Sequence, residues 1–264
     1  MKNNHLHLEN GNFLEFLLLL LIVIIVMIYI IATVLSNRHH KRWPLHRTVF
    51  WILGTVCVAT AVIGPLANRA HIDFIAHMLG HLLLGMLAPI FMVLAAPTTL
   101  FLRTLNVKTA RHLSSVLKSW PIRTFSNPIV ATFLNLGGLW ILYTTNLYSA
   151  MHQNILLHLF IHLHVFIAGY LFTISIIYID PAPHRYSYRY RAIVLIIALA
   201  GHGILSKYIY AYPPTGVVTA QAEIGGMLMY YGGDLIDIIL IFIFCLQWFR
   251  ASRPITIVHK SVIY

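Results

Sequence analysis

The stretch HMLGHLLLGMLAP at 77–89 sets two imidazoles, His77 and His81, four residues apart inside an apolar run. On a helix that spacing puts both rings on one face. A second pair, His158 and His162, repeats the spacing in HLFIHLHV, and His202 stands alone in AGHGIL. Asp234 and Asp237 follow in GGMLMYYGGDLID. Neutral imidazole binds copper, zinc or iron, and the thioethers of Met78, Met86, Met227 and Met229 would favour cuprous copper. A carboxylate beside such a histidine either ligates or fixes the ring tautomer through the other nitrogen. Two carboxylates are too few for a calcium or magnesium cage. Taken singly, each histidine also fits interhelical hydrogen bonding and each methionine plain packing.

The elements that must hold these side chains are membrane helices. The 264 residues are 59% hydrophobic and only 9% charged, where a soluble domain carries about 25% charged residues. Seven runs approach the ~20 apolar residues needed to cross a bilayer. They lie at about 13–35, 48–67, 74–96, 127–147, 151–179, 190–211 and 226–249. The expectation is an all-α, polytopic membrane protein with seven transmembrane helices, one integral membrane domain over 1–264. The first run is too long for a signal peptide core and its basic cluster follows it, so it reads as a retained anchor. The fifth run is long enough to tilt or project. Cys57 and Cys245 sit in apolar runs without a CxxC partner, which excludes a disulfide framework. No phosphate-binding loop, nucleophile elbow or HExxH motif occurs, and nothing supplies an enzyme's nucleophile.

All but Lys2, Arg69 and Lys207 of the 18 Lys and Arg fall in 36–47, 103–126, 180–191 and the tail after 249. Basic loops face the cytoplasm, so the N-terminus is expected outside and the C-terminus cytoplasmic. This distribution also removes the nucleic-acid reading that a formal charge of +11 would otherwise suggest. HRYSYRYR at 184–191 reads as an interfacial anchor, and AYPPTGVVT at 211–219 as a stiff outer cap. Counting helical rise from the outer ends puts His81, His158, His202 and Asp234 at a common depth of ~10–13 Å. Ionisable groups at that depth face the bundle interior, so the stripes of four helices should converge in one outward-opening chamber. His71 and His152 read as surface loop residues, His164 as structural, and His5 and His7 as a frayed tail.

The same residues carry a family resemblance. HMLGHLLLGMLAPIFMVLAAPTTLFLR at 77–103, HLFIHLHVFIAGYLF at 158–172, DPAPHRYSYRYR at 180–191, His202 in AGHGIL and GGMLMYYGGD at 225–234 resemble the multi-span bacterial cytochrome c oxidase assembly factors of the CtaG type. That resemblance implies a factor maturing a haem–copper oxidase in the bacterial cytoplasmic (inner) membrane. The partners it implies are an oxidase subunit, a periplasmic copper carrier and the lipid bilayer. With the ligand chemistry above, the expected cargo is a copper ion, Cu(I). His77, His81, His158, His162, His202 and Asp234 are the metal-site candidates, with Asp237 and Met227 behind them. The rival readings are a b-type haem protein and a metal or proton transporter. A haem uses only one histidine of an i,i+4 pair, and a transport path needs polar residues in the cytoplasmic halves, which are apolar here.

Overall fold

The computed structural model describes residues 2–182 and 184–253, with side chains from residue 15 onward, and is all-helical among these residues. His5 and His7, like the tail cation Lys260, lie outside the side chains described. Helix α1 (Lys2–His39) is followed by α2 (Leu45–Val62), the short α3 (Pro65–Ala70) and α4 (Phe74–Leu82). A π-helical turn, Leu83–Leu87, joins α4 to α5 (Ala88–Leu94), so the third span is one interrupted rod. Short helices α6 (Pro97–Thr104), α7 (Val107–Leu117) and α8 (Trp120–Phe125) follow. The fourth span is α9 (Pro128–Thr132), a second π-helical turn at Phe133–Gly137, and α10 (Gly138–Thr144). After it come α11 (Leu147–Gln153), α12 (Ile155–Ile176), α13 (Tyr188–Ala211) and α14 (Thr219–Ser252).

Among the described residues six helices are long and apolar enough to cross a membrane, or seven if the pair Pro128–Thr144 and Leu147–Gln153, bent by 80°, counts as one span. The third span is the most buried of them. Leu17, Ile24, Ile193, Ile196 and Phe242 instead expose their side chains, the belt that a lipid-facing surface requires. Of the boundaries that differ from the sequence expectation, two bear on the site. The fifth span starts at Ile155, because Met151 belongs to the bent-away α11 and the Asn154 side chain caps α12 at Leu156 N and Leu157 N. The seventh starts at Thr219, about two turns ahead of Gly226.

Small residues set the phase of the packed helices. Gly169 on α12 lies against the Gly85 carbonyl in the third span's π-helical turn, leaving no room for a Cβ. On α14, a Cβ at Gly226 would meet Ser206 O at 2.9 Å, and one at Gly233 would meet the His202 ring at 2.6 Å. Close backbone approach over small residues is how membrane helices gain packing energy without a hydrophobic drive. It turns Gly226, Met229, Gly233, Ile236 and Asp237 inward. Asp234 and Met227, expected on the inward stripe, are therefore exposed, Met227 by 43%. Asp237, four residues beyond Gly233, is the carboxylate carried into the bundle, with 6% exposure.

The other end is tied by two polar locks. Asp180 accepts hydrogen bonds from Thr98 N (3.0 Å), Thr99 N (2.8 Å) and the Thr99 hydroxyl (2.6 Å), so the segment after α12 caps α6. Arg191, expected among the surface anchors, is only 1% exposed. Its guanidinium donates to Ile176 O and lies over the rings of Tyr178, Tyr188 and Phe244. Gly169→Ala is expected to lower stability by about 1–3 kcal/mol through overpacking, read as a reduced thermal midpoint in detergent.

Candidate metal centre

Two polar groups of different character meet along the third span. The outer one forms where α4 begins, next to the α3–α4 turn, α11 and the start of α12. His71 stacks on His158 with ring centroids 4.6 Å apart, and His158 on His162 at 4.2 Å. His152 lies 6.3 Å from His158, and His77 lies 6.3 Å from His162 and 6.4 Å from His152. Tyr148 and Tyr143 close the group beside His77, at 5.1 and 6.0 Å.

Hydrogen bonds decide which nitrogens are free. His162 Nδ1 donates to His158 O at 3.0 Å, and His152 Nδ1 donates to Tyr148 O at 2.8 Å. A carbonyl only accepts, so Nδ1 carries the proton in both rings and Nε2 keeps its lone pair. That is the tautomer control used for metal-binding histidines. His77 Nε2 pairs with the Tyr143 hydroxyl at 3.1 Å. His71 lies outside the spans, where burial and then the neighbouring His152 imidazole push its pKa below the ordinary 6.5. It is thus neutral at pH 7, with a lone pair to offer. His164 is structural: its Nε2 donates to Leu134 O at 3.2 Å, a carbonyl inside the fourth span's π-helical turn.

The inner group lies about one helical turn deeper. His81 faces His202 with centroids 6.3 Å apart and ring planes inclined by 26°. Both border a cavity of about 30 Å³ that Met86, Thr132, Asn135 and Asp237 also line. That volume holds a water or a single ion. Neither nitrogen of His81 has a hydrogen-bond partner, nor do His202 Nε2 and Thr132 Oγ1, although all are buried. Each such orphan costs about 1–3 kcal/mol, so four of them around one void mark a place kept for something that bonds. A narrower gap of about 10 Å³, bordered by His77, His81, Tyr143 and His162, lies between the two groups. The π-helical turns sit beside this chamber, one just after His81 and the other containing Asn135. Such insertions re-aim side chains within a helix and are frequent at functional sites.

The structure thus brings His77, His81, His158, His162, His202 and Asp237 into one row, but on two levels. His158 is not level with His81. Because α12 starts at Ile155, His158 lies only ~5 Å into it, and the ring joins the outer group. Asp234 and Met227 stay outside the chamber. No group of three or more His, Cys, Asp or Glu is arranged to hold a metal ion among the described residues. The donors that would fit one are imidazole nitrogens with the Met86 thioether, a soft set suited to Cu(I). The sequence reading missed Tyr143, Tyr148, Thr132 and Asn135, and left His71 and His152 as loop residues. Thr132 and Asn135, three apart in an otherwise apolar span, were the available signal.

The sequence profile of the cytochrome c oxidase caa3 assembly factor family (Caa3_CtaG) matches residues 27–251. An uncharacterized protein of Mycobacterium leprae (strain TN) is 26% identical over 245 residues, 85% of this chain and 37% of its own. Uncharacterized proteins of Mycobacterium bovis and Mycobacterium tuberculosis are each 29% identical over 241 residues, 83% of this chain and 36% of theirs. The chain thus spans little more than a third of the curated relatives it matches. No solved structure matches it.

His81→Leu, which replaces two unpartnered nitrogens with apolar surface, is expected to leave the detergent thermal midpoint unchanged or raised. His77→Leu strands the buried Tyr143 hydroxyl and is expected to lower stability by about 1–3 kcal/mol. Differential scanning fluorimetry of the two variants separates these outcomes.

Proposed function

This chain belongs to the cytochrome c oxidase caa3 assembly factor family, and from that premise we propose that it receives Cu(I) at the membrane's outer face and hands it to an oxidase subunit. The observation that carries the reading is the pair His81 and His202, whose unpartnered nitrogens border a single-ion void beside Met86 and Asp237. In this reading the outer imidazoles, His71, His152, His158, His162 and His77, form the vestibule. Each offers a nitrogen to an incoming ion, so cargo descends by ligand exchange past Tyr143 to the inner pair. Asp237 offsets the positive charge of the ion and orients a ligating ring. Asp234 and Met227 take no part in the inner site.

The bias of Lys and Arg supports an outside N-terminus and a cytoplasmic C-terminus, which puts the histidine end on the outer face of the bacterial inner membrane. The whole chain acts as one integral membrane domain. Its role is binding and transfer without catalysis, with a periplasmic copper carrier as donor and an oxidase subunit as acceptor. A cargo protein must release what it binds, and a site with few donors in a polar chamber meets that need.

Purified protein titrated anaerobically with Cu(I) is expected to bind roughly one ion and to gain thermal stability, because a ligand that binds only the folded state stabilises it. His81→Ala combined with His202→Ala is expected to abolish both effects and to leave cells with oxidase lacking copper. Undiminished copper in the double variant would sink the proposal, and a Soret band on the purified protein would point to haem instead. Uptake through the vestibule is expected to weaken as pH falls below 6.5. His71, whose pKa burial lowers below the ordinary 6.5, is neutral at pH 7 and loses its lone pair to a proton only at a pH below that value. Initial loading rates measured between pH 7.5 and pH 5.5 test this.

A further inference from the structure

We infer that the end of the bundle opposite the histidines holds a site for one anionic phospholipid, with the acyl chain in a lateral groove and the phosphodiester at its basic rim. This stands apart from the copper reading. A cavity of about 370 Å³ opens between α5, α8, the last turns of α12 and the segment after it. That volume lies in the range of small-ligand pockets, about 300–1,000 Å³. Its walls are Val93, Leu117, Phe125, Leu171, Ile174 and Ile177, and it follows α12 for ~10 Å between Tyr170 and Ile177. The lining is mostly apolar, and its charged residues lie on α8 and the segment after α12, at the basic end of the bundle.

At that end stand Arg123 and His184, and the Nε2 of His184 is buried without a hydrogen-bond partner. Lys118 precedes α8, and Arg185 lies over the ring of Tyr178, which also lines the cavity. The one carboxylate in the lining, Asp180, accepts hydrogen bonds from Thr98 N, Thr99 N and the Thr99 hydroxyl. The rim therefore offers donors and positive charge to an anion, while the walls accept hydrocarbon. Helix α8 roofs the site with Trp120 exposed on its outer side, as an interfacial aromatic is. A phosphate diester carrying acyl chains satisfies both halves. A zwitterionic headgroup brings a cation to a rim where Arg123 and Arg185 outnumber the single carboxylate of Asp180.

Native mass spectrometry of the full chain, delipidated in detergent and offered equal phosphatidylglycerol and phosphatidylcholine, tests the site. One retained phosphatidylglycerol, favoured about tenfold or more, is expected from charge-assisted hydrogen bonds at the rim. Arg123→Ala with His184→Ala is expected to erase that preference, and Ile174→Trp, which fills the groove, to erase retention of both lipids. Helical content by circular dichroism and the copper titration should be unchanged in these variants, which separates loss of the site from loss of the fold. Equal retention of the two lipids, retention undiminished by the rim variants, or displacement of phosphatidylglycerol by inorganic phosphate alone would overturn the proposal. If Ile174→Trp fails to fold, the rim pair of Arg123 and His184 still decides the matter.

Discussion

An imidazole buried in hydrocarbon must find a partner or be held open for one, and that requirement organises the histidine end of this protein. A polar atom stranded away from water costs free energy that packing must offset, so helices bring such groups to one another. In the outer group the requirement is met in large part internally: His152 and His162 donate to backbone carbonyls, His77 pairs with Tyr143, and the rings stack, while His158 Nδ1 is left without a partner. In the inner group it is not met. His81 and His202 keep unpartnered nitrogens around a void of one ion's size. The contrast between a vestibule with one unpartnered nitrogen, on His158, and a chamber with four orphaned atoms around one void gives the site a direction.

Holding that chamber open demands backbone irregularity. A regular helix through 83–87 or 133–137 would aim its side chains differently from the π-helical turns found there. The carbonyls such turns loosen must be bonded again, and His164 does this for Leu134. Glycine makes the close approaches possible, with Gly85 against Gly169 and Gly233 against His202. Function and packing are therefore written into the same few turns.

The two ends use polar groups for opposite purposes. At the basic end Asp180 and Arg191 are consumed in fixing the backbone, one by capping α6 and one by holding the end of α12 within an aromatic cage. Both are tied to backbone groups, although Arg191 Nε has no hydrogen-bond partner, so they are structural despite being charged and partly or wholly buried. Among the unpartnered groups at that end is His184 Nε2, beside an apolar groove.

Much of this organisation was legible in the residue order. Hydropathy alone reveals the spans, because ~20 apolar residues in succession have no other use in a chain of this composition. The i,i+4 histidine pairs reveal a shared face, and the order of motifs reveals the family. Depth and phase were not legible. Whether Met151 continued into the fifth span depended on Asn154 capping α12, which moved His158 to the outer level. Whether Asp234 or Asp237 turned inward depended on where α13 pressed against Gly226 and Gly233, a contact between segments some twenty to thirty residues apart. Tyr143, Thr132 and Asn135 belong to a span whose polar residues looked ordinary until the third span lay beside them. Periodicity fixes the angle between residues on one helix, but only packing against a neighbour fixes which angle points at the site.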